Sequence, residues 1–343
     1  MTGLATKESS FLSVKLAPLS VPFPRRRQTA AVVLWMMLLP LCLALFLFLV
    51  SRTYLLPFAL AYVIFIALDP APETGGRKAM WFRRLSLWKW LADFFPASIV
   101  KTADLDPNKT YVFGYHPHGI ISLGAFTNFA TEATGFGELF NGIDLRLMTL
   151  EPNFRMPFFR EIILHLGVTS ASRRSCDNIL TKGPGNAIML VVGGAAEALN
   201  AFPGTNDLVL KKRYGFVKVA LRTGSSLVPV MSFGENDIWD QVPNPQGSTL
   251  RKFQRLFQRY ASFSPPLLHG RGIFTYNYGI LPFRHPIVSV VGAPIDCPRT
   301  ENPSNELVQE YHQKYLDALQ ALYDKYKDVY ARDRVRDMCF VES

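Results

Sequence analysis

The stretch "TYVFGYHPHGI", residues 110–120, sets an apolar run directly against two histidines, a proline and a glycine. The run over 110–115 reads as a buried strand, and the Pro and Gly that follow end it. In extended backbone alternate side chains share a face, so His116 and His118 point the same way, with Pro117 stiffening the chain between them. Gly119 lets the backbone pass close to a ligand. An imidazole at a strand end titrates near neutrality, so it can take a proton from a hydroxyl and return it to a leaving group.

Working outward, short apolar runs ending in Gly or Pro alternate with mixed stretches, the pattern of an α/β domain. Strands are expected at 110–115, 144–150, 187–192, 226–233 and 287–291, and helices at 122–133, 160–166, 176–182, 216–222 and 250–260. A last helix carries Val308, Tyr311, Tyr315, Leu319, Leu322, Tyr326 and Val329 at spacings of three and four, with Asn302 as its cap and Pro303 as its first helical residue.

The N-terminal side is different. Residues 30–50 ("AAVVLWMMLLPLCLALFLFLV") hold 21 positions without a charge, enough at ~1.5 Å each to cross a hydrocarbon layer of about 30 Å. A second uncharged run of 15, residues 54–68, suits the returning arm of a hairpin, a re-entrant helix or a tilted short span. Pro40 and Pro57 would kink the two arms. A secretory signal fits poorly, because the first run is too long and lacks a small-residue cleavage site. Residues 1–28 and 70–101 each carry a net charge of +4, which together is +8 of the chain's +10. Basic flanks on both sides of a hairpin place both in the cytosol against anionic headgroups, and they argue for a membrane surface rather than nucleic acid.

The expected organisation is therefore a basic cytosolic tail (1–28), a membrane hairpin (29–69), an interfacial segment (70–103) and a cytosol-facing catalytic domain (104–343). Within the third part Trp81, Trp88 and Trp90 mix with Arg83, Arg84 and Lys89, as in a helix lying in the interface plane. The alternative is a first helix of the soluble domain with its tryptophans packed inward.

Three other readings of the histidines stand beside catalysis. A zinc pair would need further ligands, and His165, His269, His285 and His312 have no ligand spacing. A structural imidazole hydrogen-bonded to a carbonyl is the plainer case. A covalent nucleophile lacks the GxSxG elbow and a sequence-adjacent Cys. The context favours catalysis. In "AIMLVVGGAAEALNAFPGTN", residues 187–206, a strand runs into Gly193 and Gly194 and then an isolated carboxylate, Glu197. Amides at such a junction can face an oxyanion, and Glu197 can orient an imidazole or hold it cationic, while a glycine pair that only permits tight packing is the bland reading.

The strings "YVFGYHPHGI", "GGAAEAL", "RYGFVKVALRTGSSLVPVMSFGEND", "VVGAPI" and "YHQKYLDALQALYDKYK", in this order over residues 104–327, closely resemble the type 2 diacylglycerol acyltransferase family, which includes monoacylglycerol and wax-alcohol acyltransferases. The resemblance implies a glycerolipid-acyltransferase-like mixed sheet flanked by helices, with the HPHG box at 116–119 as catalytic signature and the hairpin as an endoplasmic reticulum anchor. It also implies acyl-CoA as cosubstrate with no resident cofactor or metal, and diacylglycerol as acceptor, with monoacylglycerol or a long-chain alcohol as the alternative. Membrane lipids are expected partners, lipid droplets a second location, and a homo-oligomer is left open. The broader glycerolipid acyltransferases use His-x4-Asp; here, after four intervening residues, His118 meets Leu123 and His116 meets Ile121. The carboxylate must come from elsewhere, and Glu197 is the candidate. On this reading His118 is the base and His116 a supporting or donor residue, an order that could be reversed, and amides near Gly119 and Gly193 hold the oxyanion. Coenzyme A phosphates want clustered cations, for which Arg173 and Arg174, or Lys211, Lys212 and Arg213, are candidates; a solvated charge run is the alternative for either cluster.

Overall fold

The structure is a computed structural model that describes residues 14–18, 20–242, 248–249, 252–254, 256 and 267–341. Its strands are β1 (Ser98–Lys101), β2 (Tyr111–His116), β3 (Asp144–Thr149), β4 (Thr169–Ser170), β5 (Asn186–Val191), β6 (Asp207–Val209), β7 (Ser226–Phe233), β8 (Asp240–Gln241), β9 (Leu268–His269), β10 (Val288–Val291) and β11 (Cys339–Val341). Seven of them form one sheet in the order β1-β10-β7-β2-β5-β3-β4. From β7 to β4 all neighbours are parallel, whereas β10 runs antiparallel to β7 and carries β1 with it. The sheet is thus mixed, as expected.

β2 and β7 are buried at every residue, which is why they read as unbroken apolar runs rather than alternating ones. Successive side chains still serve opposite faces. Phe113 joins a cluster with Phe94, Phe129 and Val228 on one side, and Val112 joins Val217, Leu227 and Leu319 on the other. The last helix, Asn305–Tyr330, covers the second face and is capped by Ser304, whose hydroxyl accepts the Leu307 amide at 3.2 Å. The cap expected at Asn302 is thus corrected, because Ser304 offers an oxygen directly before the first apolar turn. The helix expected over 122–133 becomes a short α-turn and the π-helix Phe126–Ala130. The one expected over 250–260 falls largely outside the described residues.

Two apolar helices lead the chain, α1 (Phe23–Val50) and α2 (Leu56–Leu68). α1 begins inside the expected tail and takes up Arg25, Arg26 and Arg27; residues 1–13 of that tail lie outside the described residues. At 28 residues α1 is about 42 Å long, and both it and the 18-residue stretch Leu56–Glu73 that α2 begins are long and apolar enough to cross a membrane. Leu43, Leu47, Phe58, Leu60 and Ile64 stand exposed on the pair, an apolar surface of the kind that associates with membrane. The hairpin is fastened where it returns. Asp69 meets Arg77 at 2.8 Å and also pairs with Arg160, a fully buried guanidinium.

The segment after the hairpin belongs to the globular core. Helix Ser86–Phe94 buries Trp88, Leu91 and Phe94, and Trp35 of α1 lies edge-on to Trp88 and stacks on Phe126 at 3.8 Å. Trp88 therefore takes the inward alternative, while Trp81 remains exposed. Arg83 is not a headgroup-facing cation: it is 1% exposed, pairs with Glu132 at 2.9 Å and donates to the carbonyls of Leu166 and Phe129. β1, Ser98–Lys101, lies at one edge of the seven-stranded sheet.

A buried cation stripped of its partner is costly. Glu132→Ala should lower stability by about 3–5 kcal/mol, read as a large drop in the melting temperature of the detergent-solubilised protein. Glu73→Ala, which breaks the exposed pair with Arg174, should change it by no more than about 0.5 kcal/mol.

Candidate active site

Parallel strands β7, β2, β5, β3 and β4 end on one edge of the sheet. β2 pairs with β5 on one side and β7 on the other, and in open α/β sheets ligands bind in the crevice beyond the carboxyl ends of the strands. The segments beyond the ends of β2, β5 and β7 are the HPHG loop, the Gly193–Gly194 turn and Gly234–Glu235.

The two histidines occupy different surroundings. His116, the last residue of β2, is wholly buried; its Nε2 lies 3.0 Å from the Tyr315 hydroxyl, which itself donates to the Gly114 carbonyl at 3.0 Å. The hydroxyl's proton is thus committed, so His116 donates from Nε2 and keeps its lone pair on Nδ1, for which the described residues supply no donor. Burial pushes its pKa down to about 3, and the ring is neutral. His118 is only partly buried. Its Nδ1 stands 3.0 Å from the Gly119 carbonyl, an acceptor, which puts the proton on Nδ1 and the lone pair on Nε2. Desolvation lowers its pKa, partly opposed by that hydrogen bond.

Glu197 sits on the short helix Gly194–Ala198 at 2% exposure. One carboxylate oxygen accepts the backbone amide of His118 at 2.5 Å and the other the amide of Val209 in β6 at 2.7 Å. The expectation that it orients the imidazole is corrected: both oxygens are engaged by main-chain donors, and the ring is satisfied by Gly119. Gly193 makes room for it, since a Cβ there would lie 2.2 Å from the Glu197 Cδ. The bland reading of that glycine accounts for this contact.

A second carboxylate, Glu235, went unrecognised in the sequence. At 1% exposure it accepts the amides of Leu123 and Gly124, at 2.8 and 2.9 Å, and the Tyr115 hydroxyl at 2.7 Å. Gly119 passes over it with φ +60, and a Cβ there would come within 2.6 Å of the Glu235 Cγ. The signal was present in part: a carboxylate after a strand and a glycine, as at Glu197, but one followed closely by Asp237 and Asp240 and so less conspicuous. Burial raises both carboxyl groups to about 7, against the pull of the hydrogen bonds they accept.

Of the expected phosphate ligands, Arg213 reaches this region, its guanidinium 3.4 Å from the Gly193 carbonyl, with Lys211 and Lys212 exposed on the same turn. Arg173 and Arg174 start helix Arg173–Leu180 beyond β4 and face Asp177 and Glu73. β4 is separated from β5 by β3, so this pair lies further along the same edge.

A carboxylate-supported histidine loop thus lies at the mouth of a mixed α/β sheet that follows an apolar hairpin. The family model for diacylglycerol acyltransferase matches residues 45–340. Diacylglycerol O-acyltransferase 2B of Umbelopsis ramanniana is 52% identical over 96% of this chain and 95% of its own length. 2-acylglycerol O-acyltransferase 1 of Bos taurus is 44% identical over 93% and 97%. The crystal structure of the 1-acyl-sn-glycerophosphate (LPA) acyltransferase PlsC from Thermotoga maritima aligns at a TM-score of 0.41 and 12% identity, over 88% of this chain and 97% of that one. The chain belongs to the diacylglycerol acyltransferase family.

A carboxyl group that is protonated in the fold but ionised in the unfolded chain withdraws stability as pH rises between the two pKa values. Against Glu235→Gln, the wild type should therefore lose relative stability from about pH 4.5 to about pH 7 and change no further above that. Paired thermal melts across this range measure the difference.

Proposed function

We propose that the protein transfers a fatty acyl group from acyl-CoA to the free hydroxyl of 1,2-diacylglycerol, giving triacylglycerol and free coenzyme A. The observation that carries the mechanism is the hydrogen bond from His118 Nδ1 to the Gly119 carbonyl, which leaves Nε2 as a proton acceptor on a partly exposed ring. The hydroxyl proton passes to Nε2 as the alcohol oxygen attacks the thioester carbonyl. Amides near Gly119 and Gly193 receive the oxyanion. Collapse breaks the C–S bond, and the departing thiolate takes the proton back from His118. His116, neutral and fixed by Tyr315, supports the loop from beneath, and Glu197 positions His118 through its backbone. An apolar surround limits the water that would otherwise hydrolyse the thioester.

Arg213, with Lys211 and Lys212, is our choice for the coenzyme A phosphates, because it lies against the glycine turn; Arg173 and Arg174 lie further off. The hairpin holds the site where the acceptor hydroxyl surfaces from the bilayer. We place the enzyme in the endoplasmic reticulum membrane with both termini cytosolic, extending to lipid droplets. The 44% identity to a 2-acylglycerol acyltransferase supports monoacylglycerol as the second acceptor.

Purified protein in vesicles, given labelled acyl-CoA with diacylglycerol, monoacylglycerol or a long-chain alcohol in turn, should esterify diacylglycerol best. Failure with diacylglycerol and success with another acceptor would overturn the assignment. His118→Ala should reduce turnover by about 10²–10⁴-fold. Because its pKa is depressed, His118 stays unprotonated further into acid, and the acid limb of kcat/KM should lie below pH 6.5. Arg213→Ala should raise KM for acyl-CoA about tenfold with a smaller effect on kcat, while Arg174→Ala should leave both near wild type.

A further inference from the structure

A cavity of about 1410 Å³ opens between the N-terminal half of α1 and residues 271–284, and none of the histidine loop, Glu197 or Glu235 lines it. Its two ends differ chemically. Along α1 the wall is apolar, with Val33, Leu34, Met37 and Leu41, while at the other end Arg25, Arg26, Arg271 and Arg284 converge.

These guanidinium groups have no counter-charge among the described residues. Arg284 donates to Gln28, to Thr29 and to the Arg25 carbonyl. Arg26 donates to the Val21 carbonyl and Arg271 to that of Gly272. All of these acceptors are neutral, yet Arg271 is only 8% exposed. Burial, with Arg25 and Arg271 adding repulsion, pushes Arg284 down to about 10. The same place is the positive end of the 28-residue α1, whose first turn holds no acid. Arg284 lies 4.0 Å over the Phe94 ring and Arg271 4.7 Å over that of Tyr276, while Arg25 and Arg26 are exposed. Four cations with no acidic partner among the described residues, gathered at a helix N-terminus, favour an anion.

We propose that the cavity binds an acidic membrane phospholipid, its phosphate held by Arg25, Arg26, Arg271 and Arg284 and its acyl chains laid along the apolar face of α1. Phosphate oxygens match the paired donors of guanidinium. A soluble anion would use the cationic end alone and leave the apolar trough in water. The trough includes Leu34, Met37 and Leu41, exposed residues of the helix long enough to span the bilayer, so a lipid can enter sideways. This lipid is neither acyl donor nor acceptor, and the site stands whatever the reaction proves to be.

The test adds phosphatidic acid, phosphatidylcholine, inorganic phosphate or acyl-CoA to the full chain in neutral detergent, and follows bound lipid by native mass spectrometry and the melting temperature. Phosphatidic acid should be retained and raise the melting temperature, whereas phosphatidylcholine and inorganic phosphate should do neither. Arg271→Gln with Arg284→Gln should weaken retention at least about tenfold. If that variant does not fold, Arg25→Gln with Arg26→Gln, at the start of α1, should give a comparable loss. Unchanged retention in the folded variants, equal retention of phosphatidylcholine, the same stabilisation by inorganic phosphate, or displacement of phosphatidic acid by acyl-CoA would each overturn the proposal.

Discussion

Two carboxylates buried in the protein's interior shape the loop that follows β2. Glu197 comes from the end of β5 and grips the His118 amide, and Glu235 comes from the end of β7 and grips the amides of Leu123 and Gly124. β5 and β7 are the two neighbours of β2 in the sheet. The loop is therefore held from both sides, and the position of its imidazole follows from strand register. Burying a carboxylate is tolerated only where donors surround it, and here the donors are the main-chain amides of the segment being placed.

This bracing separates two histidines that are alike in sequence. His116 stays in the strand, neutral, its Nε2 committed to a tyrosine from the last helix, while His118 stands beyond the strand with a free lone pair and partial access. Tyr315 was readable only as one more apolar-face residue at helical spacing. Its hydroxyl reaches the histidine across 199 residues of chain, and no local pattern announces a contact of that range. A helix that covers the sheet thus also sets the protonation of a residue beside the reactive loop.

The strands at the centre were legible almost to the residue, because fully buried parallel strands leave continuous apolar runs bounded by Gly and Pro. The strand at Ser226–Phe233 coincides with its expected limits. Short edge elements such as β1 and β4 were not legible, since two to four residues with little burial contrast carry no periodicity. The histidine loop and Glu197 were found by residue type and position after a strand, but the partner of Glu197 was not. Sequence names a carboxylate without saying whether a ring or a backbone amide will meet it. Arg83 was misplaced for a related reason: a cation beside tryptophans looks interfacial, and only tertiary packing brings Glu132 and the carbonyls of Leu166, Phe129 and Thr131 around it.

Trp35 stacks face to face on Phe126, and Phe126 opens the π-helix a few residues beyond the amides that Glu235 holds. A ring on the longer apolar helix is thus in direct van der Waals contact with the scaffold of the reactive loop. The apolar helix and the segment that shapes the loop share one packed surface, and any tilt of that helix would be felt first at this pair of rings.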